Sequence, residues 1–444
     1  MGLERLFQAE SVAVVGASAT PGKLGHTILS NLIEGGFKGP IYPVNRKESE
    51  ILGLKAYPNL LEIPADVDLM VVAVPSGVVL SVVQEAIQKK IGVAIIVSGG
   101  FREAGNLEGE RELVRTARAG GLRIVGPNCQ GLAYLPNNLC ATWPVQRSRG
   151  PIAVVSQSGT VAAALADWAA EDGLGISCML AMGNKTDINE TDAVNFLSGD
   201  GETKAIAVYS EGLGDGKTFM EVLKRATAKI PVVLLRGGRT PIGHAAAQTH
   251  TKSLAGQYQV FASLAEANGA AVVDSIEDLY DGTKALACLK APAGRKVCII
   301  TSSGGAGVLA TDAGFESGLE LAKLDEATSA SLREKLPSYC SVRNPIDLTG
   351  DATWEMYETV LRTAATDRNV DSFLVIFGDP IPGAAEMMKR AQKDLKQPFV
   401  VVFLGGGEVE AQERKVFAQA KIPVFSSPER AMRGLGLVVR QKGE

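Results

Sequence analysis

The sequence predicts an α/β protein built from open parallel sheets, and three observations predict it. Short apolar, β-branched runs recur along the chain and alternate with longer amphipathic segments. Those runs lack polar alternation, the pattern of strands buried on both faces of a parallel sheet. Glycine, at 49 of 444 residues, exceeds the usual ~7% and clusters after apolar runs, where tight strand-to-helix turns need it.

The strand candidates, in order, are 11–15, 69–74, 93–97, 152–155, 205–209 and 232–235. At roughly 150 residues per domain, the length allows about three domains. A stretch with Pro136, Asn137, Asn138, Pro144 and Gly150 interrupts the periodicity, and Lys290 to Arg295 reads as a short linker. The expected domains are therefore 1–130, 131–292 and 293–444. An internal repeat supports the cuts. Ser156-Gln-Ser-Gly159, Asp167 and Gly173 recur 145 positions on as Thr301-Ser-Ser-Gly304, Asp312 and Gly318. Asn184 to Asp187 is echoed by Asn344 to Asp347, and Pro231 before an apolar run by Pro398. The second and third domains read as copies of one open-sheet fold. A segment from Arg236 to Gly256 is present in the second copy and missing from the third, which marks it for chemistry instead of scaffold.

Composition excludes several function classes. Lys and Arg total 45 against 49 Asp and Glu, a net charge of −4, so no strong positive field exists to hold nucleic acid or an anionic membrane. Six scattered cysteines without a C-x-x-C pair fit reduced thiols and argue against disulfides and structural zinc. No metal site is expected. No apolar stretch approaches the ~20 residues needed to span a bilayer, and no leader-like segment opens the chain. A cytoplasmic protein is expected.

Chemistry is expected at three places. The first strand-to-helix turn, Gly16 to Gly25, lets backbone and a helix N-terminus approach a phosphate. It departs from G-x-G-x-x-G, and Asn45-Arg46-Lys47 stands where a dinucleotide fold places an acid, which favours a ligand with a ribose phosphate, NADP or coenzyme A. Ser156-Gln157-Ser158-Gly159, where a strand gives way to a helix, makes an anion site or an ordinary N-cap. Of the three histidines, His26 opens a helix, whereas His244 and His250 lie in the extra segment. The small neighbours of His250 suit a loop presenting an imidazole nucleophile. Glu211, at another strand end, can orient an imidazole or stand as a solvated carboxylate. Together these are the parts for a histidine that carries a phosphoryl group.

Gly16-Ala-Ser18 with Pro21-Gly-Lys23, Tyr42 to Asn45, Val74-Pro75, Gly99 to Phe101, Gly126 to Cys129 and Ser156 to Gly159 occur in this order. Gly183 to Lys185, Tyr209 to Gly212, Gly237 to Thr240, Thr249-His-Thr251 with Ser253 to Gly256, and Asn344 to Asp347 follow. On these motifs the sequence resembles the α subunit of nucleoside-diphosphate-forming acyl-CoA synthetases, including the ADP-forming acetyl type, within the succinyl-CoA synthetase superfamily. The resemblance implies an N-terminal Rossmann-like CoA-binding domain and two flavodoxin-like domains. It implies an acid–thiol ligase converting acid, CoA and NTP reversibly to acyl-CoA, NDP and phosphate through an acyl phosphate and a phosphohistidine. By matching, His250 is the phosphorylated residue, Glu211 its stabiliser and Ser156, Gln157, Ser158 and Gly159 the helix-end phosphate site. Gly16, Ser18, Lys23, Gly25, Val44, Asn45, Val74, Pro75 and Asn128 fall to CoA. ATP or ADP with Mg belongs to an ATP-grasp β subunit, in an α2β2 assembly. The chain departs from the family's usual pattern at Thr249, Lys252, Thr301 to Gly305 and Cys140 to Trp143, the last on the acyl side. A CoA-binding scaffold of the same fold without turnover is the rival reading, and an NADP-dependent oxidoreductase a third.

Overall fold

The computed structural model describes residues 3–243, 245 and 257–442. They form two compact units, one running to Ala170 and resuming over Gly175–Asp274, the other made of Glu171–Leu174 and the chain from Ser275 onward.

The first unit opens with helix α1 (Glu4–Phe7), β1 (Val12–Val15), α2 (Leu24–Glu34) and β2 (Ile41–Val44). A small ribbon, β3 (Glu50–Ile51) with β4 (Leu54–Lys55), leads to β5 (Leu69–Val72), α3 (Ser76–Gln88), β6 (Val93–Ile96), α4 (Leu107–Ala119) and β7 (Arg123–Val125). The sheet order is β2-β1-β5-β6-β7, parallel throughout. Alternation along β1 explains its unbroken valine and alanine run. Val12 and Val14 enter one core with Ile28, Leu29 and Leu32 of α2, while Ala13 and Val15 enter the opposite one with Val79 and Val83 of α3.

A second sheet follows in the same unit. Its elements are β8 (Gly131–Tyr134), β9 (Leu139–Thr142), β10 (Arg149–Ser156), α5 (Gly159–Glu171), β11 (Ile176–Ala181), α6 (Glu190–Leu197) and β12 (Ala205–Ser210). After these come α7 (Gly216–Thr227), β13 (Val232–Arg236), α8 (Tyr258–Ala267) and β14 (Ala271–Val273). The order is β14-β13-β12-β10-β11-β8-β9. Here the structure differs from the sequence reading: the stretch taken as a break holds an antiparallel hairpin, β8–β9, added to the edge of the parallel strands through β11. Pro136 and Asn137 lie in its turn, with Asn138 in the left-handed region at φ +59°.

The second unit carries α9 (Ile276–Cys288), β15 (Lys296–Thr301), α10 (Gly304–Glu316), β16 (Glu320–Leu321), α11 (Glu326–Lys335) and β17 (Ile346–Asp347). It continues with α12 (Trp354–Ala364), β18 (Ser372–Phe377), α13 (Ala384–Asp394), β19 (Phe399–Phe403), α14 (Glu408–Gln419), β20 (Val424–Phe425) and α15 (Pro428–Lys442). Its sheet reads β16-β15-β18-β19-β20, with β17 paired to β15, over a core that includes Tyr357, Phe373, Phe377, Phe403 and Phe417.

Counting the parallel strands of the three large sheets in chain order, with the two-residue β17 left out, gives 2-1-3-4-5 three times. In such doubly wound sheets ligands gather at the carboxyl ends of strands 1 and 3, where the order reverses. The repeat seen in the sequence extends to hydrogen bonds. Ser156 Oγ donates to the Ser158 carbonyl (2.6 Å) and accepts the Ser158 N–H (3.1 Å). Thr301 Oγ1 does the same with Ser303, at 3.0 and 2.9 Å.

Candidate active site

The turn after β1 is built by glycine. Gly16 sits at φ +88°, and a Cβ there would lie 2.5 Å from the Ala73 carbonyl oxygen. Gly25, inside the first turn of α2, is tighter still, since its Cβ would fall 1.9 Å from the Gly16 carbonyl oxygen. Only glycine at these two points lets α2 abut the strand end, leaving the first N–H groups of the helix, which have no carbonyl partner within it, facing the loop. Ser18 Oγ accepts the Thr20 N–H at 3.1 Å. Lys23 is the exposed N-cap residue of α2 and makes no side-chain cap bond. Asn45 braces the loop from β2: its Nδ2 donates to the Ala17 carbonyl (2.8 Å), and its Oδ1 accepts the Lys47 and Glu48 N–H groups. On the other side Ser98 Oγ donates to the Val74 carbonyl (2.5 Å), and Pro75 leads into α3. Gly16, Ser18, Lys23, Gly25, Val44, Asn45, Val74 and Pro75 are thus gathered at the ends of β2, β1 and β5. Asn128 is not among them; it follows β7 and lies in a second site.

That second site is a cavity of about 280 Å³ at the start of α5, with Asn128, Trp143, Gln157, Gly159, Thr160 and Asn184 among its lining. The Ser156–Ser158 bonds fix the turn, and Ser158 Oγ accepts the Val161 N–H, capping the helix. Gln157 is 5% exposed. Its backbone N–H extends the sheet to the Tyr209 carbonyl (3.0 Å), and its Oε1 accepts the Glu211 N–H (2.9 Å). Because that bond fixes which end of the amide faces Glu211, Nε2 is left as a donor with no partner among the described residues. A buried donor without an acceptor costs about 1–3 kcal/mol, a cost that an anionic ligand removes. Beside it, the first-turn N–H groups at Gly159 and Thr160 supply further donors and the positive end of the helix dipole. The site can therefore hold a carboxylate or phosphate.

Two loops close this cavity. Asn184 Nδ2 donates to Glu103 Oε2 and Glu110 Oε2, each at 2.7 Å, and Arg102 pairs with Glu110. Burial works to raise the Glu103 pKa, but the hydrogen bonds from Asn184 and from the Phe101 and Gly100 N–H groups prevail and hold it below the ordinary value. Cys129 lines the wall, yet its Sγ donates to the Ile96 carbonyl (3.3 Å) and burial pushes the thiol up to about 12. The thiolate, which is the nucleophilic form, is therefore scarce at neutral pH, and Cys129 is a wall residue.

Glu211 lies on the neighbouring strand end, 6% exposed, and accepts the Tyr209 hydroxyl at 3.3 Å. Burial, then the nearby Glu211 charge and this bond, push Tyr209 up to about 12. A buried ion pair secures the strand end: Lys185 Nζ meets Glu190 at 2.8 and 3.0 Å and Ser210 Oγ at 3.1 Å, and also donates to the Gly212 carbonyl. The chain then passes from β13 through Gly237, whose Cβ would lie 3.4 Å from Glu211 Cγ, toward His244 and His250, which lie outside the described residues. Lys185, Arg102, Glu103 and Gln130 were not singled out as site residues from sequence. The first three belong to the Gly183-to-Lys185 motif and to the turn after Gly99-Gly-Phe101, which were the available signals.

Comparison with known proteins agrees with this layout. Residues 10–134 match a family described as CoA binding domain, 149–286 the succinyl-CoA ligase like flavodoxin domain, and 297–437 the Ligase-CoA domain. The chain is 41% identical to the acetate–CoA ligase (ADP-forming) I subunit alpha of Pyrococcus furiosus, covering 99% of this chain and 98% of that one. It belongs to the ADP-forming CoA ligase family. Within that family it is 38% identical to the acetate–CoA ligase (ADP-forming) I of Archaeoglobus fulgidus, over 99% of this chain but only 63% of the relative. A solved ligase, the dinucleotide-forming acetyl-coenzyme A synthetase 1 of Candidatus Korarchaeum cryptofilum in complex with phosphate and ADP, superposes with a TM-score of 0.92 at 36% identity, covering 99% and 96% of the two chains. In this ligase chain no helix among the described residues is long and apolar enough to cross a membrane.

Proposed function

We propose that this chain is the α subunit of an ADP-forming carboxylate–CoA ligase that works in the cytoplasm with an ATP-grasp β subunit in an α2β2 assembly. The reaction is carboxylic acid, CoA and ATP to acyl-CoA, ADP and phosphate, and it is reversible. His250 takes the γ-phosphoryl group from ATP bound with Mg on the partner, releasing ADP. A carboxylate oxygen then attacks the phosphorus, forming an acyl phosphate and freeing the imidazole. The CoA thiol, losing its proton, attacks the acyl carbon, and inorganic phosphate leaves. Phosphoryl transfer needs positioning and charge neutralisation more than covalent help. The start of α5 with Gln157 supplies these for phosphate, and Glu211 stabilises an imidazole that becomes cationic.

The observation that carries this reading is Gln157 Nε2, a buried donor without an acceptor at an open helix N-terminus, in the same compact unit as the glycine-built turn after β1. Lys23 at the mouth of that turn is assigned to a CoA phosphate. Calorimetric titration with CoA tests it: Lys23→Ala should weaken binding by about 1.5–3 kcal/mol, the range for a hydrogen bond to a charged group. Unchanged affinity in that variant would remove Lys23 from the site, and absence of CoA binding by the unmodified chain would remove the function.

A further inference from the structure

We propose that Trp143 is the specificity-determining residue for the acyl group, the wall that limits how large an acid the cavity at α5 accepts. This rests on the reading of that cavity as the place of the acyl phosphate. The anionic end of such a ligand has a defined seat at the Gly159 and Thr160 N–H groups and at Gln157 Nε2, so the hydrocarbon end must point away from them. Almost everything else in the lining is polar or glycine: Arg102, Glu103, Asn128, Gln130, Gly183 and Asn184. Cys129 is small and turned back onto Ile96. Among the described residues of the lining, Trp143 is the one large apolar side chain, and hydrocarbon leaving water will be held there.

The wall is rigid. Asn31 of α2, 4% exposed, donates through Nδ2 to the Thr142 carbonyl (2.8 Å) and the Trp143 carbonyl (3.1 Å). The preceding strand β9 is paired residue by residue with β8, from Gly131 opposite Thr142 to Tyr134 opposite Leu139. At Gly131, φ +100°, a Cβ would lie 2.3 Å from the Ala141 carbonyl oxygen, so the two strands meet backbone to backbone at the base of the wall. Trp143 follows β9 directly, and its partly buried side chain packs against the apolar core of the unit, so it sets a size limit. Truncating it opens space of the order that accepts a benzene ring in engineered apolar cavities, about 150 Å³.

The test is calorimetric titration of the purified chain with CoA, acetyl-CoA and phenylacetyl-CoA. The unmodified chain should bind phenylacetyl-CoA at least tenfold more weakly than acetyl-CoA. Trp143→Ala should leave CoA affinity within twofold and reduce that penalty below threefold, with Trp143→Phe in between. Should the alanine variant lose CoA binding through misfolding, the phenylalanine variant carries the test, and at least threefold relief is expected. An absent penalty in the unmodified chain, or an unchanged penalty in a variant that binds CoA normally, overturns the proposal. Failure of CoA itself to bind the unmodified chain would instead overturn the functional reading beneath it.

Discussion

With an ATP-grasp partner and γ-labelled ATP, the unmodified chain should become phosphorylated on a bond that is labile to acid and stable to base, and His250→Ala should abolish the label entirely. A phosphoramidate has this lability, whereas phosphoserine and acyl phosphate do not share it. His244→Ala and His26→Ala should retain the label. An imidazole can act as nucleophile toward phosphorus at neutral pH without a strong base, and His250 lies in the segment that one copy of the repeat has and the other lacks. Glu211 stands at the strand end beside β13, from which that segment departs. Label persisting in His250→Ala would sink the assignment.

Lys185→Met should destabilise the chain by about 3–5 kcal/mol, because removing one member of a buried ion pair leaves the other charged and unpaired. Glu190 is 1% exposed and Lys185 7% as side chains, so water cannot take over the lost bonds. The pair also holds Ser210 and the Gly212 carbonyl on either side of Glu211, so loss of Lys185 should disturb the carboxylate assigned to the imidazole. The double variant Lys185→Met/Glu190→Leu should recover most of the stability, since replacing both partners with apolar groups is often neutral. Denaturant midpoints of the two variants check this. A Lys185→Met loss below about 1 kcal/mol, the scale of a surface pair, would show that the bridge is not structural.

Much of the architecture was legible because parallel strands buried on both faces must be continuous apolar runs. Each of the six runs read from sequence falls on a strand, from Val12–Val15 to Val232–Arg236. The β8–β9 hairpin escaped because its strands are four residues each and its turn carries Pro136 and two asparagines, the signature of a linker. The three equal strand orders leave no mark in the linear pattern, since lateral pairing is not written there, and the doubly wound folds were legible only through the resemblance. Within the site, Gly16, Gly25, Ser156 and Gln157 announced themselves as turn residues. The role of Gln157 did not, because it depends on the Glu211 N–H, 54 positions away, fixing one end of the amide. Trp143, Gln130 and Asn184 come from separate loops and meet only in the folded unit. Asn128 falls to CoA by resemblance, and its place beside α5, where its amide donates to Asn184 Oδ1 at 3.4 Å, comes only with the fold.

The most direct measurement is acyl-CoA formation from acetate, CoA and ATP by the purified chain, with and without an ATP-grasp subunit. The chain offers a glycine-built phosphate turn and an anion cavity, and among the described residues its three main sheets share one doubly wound order, while the resemblance assigns base, ribose and Mg²⁺ to a partner. No nucleotide-dependent turnover is expected from the 444-residue chain alone, and ADP should be released in step with acyl-CoA once the partner is added, with acetate or another carboxylic acid. Robust ATP-dependent acyl-CoA formation by the homogeneous chain, or none with any acid in a complex that does bind CoA, would contradict these expectations.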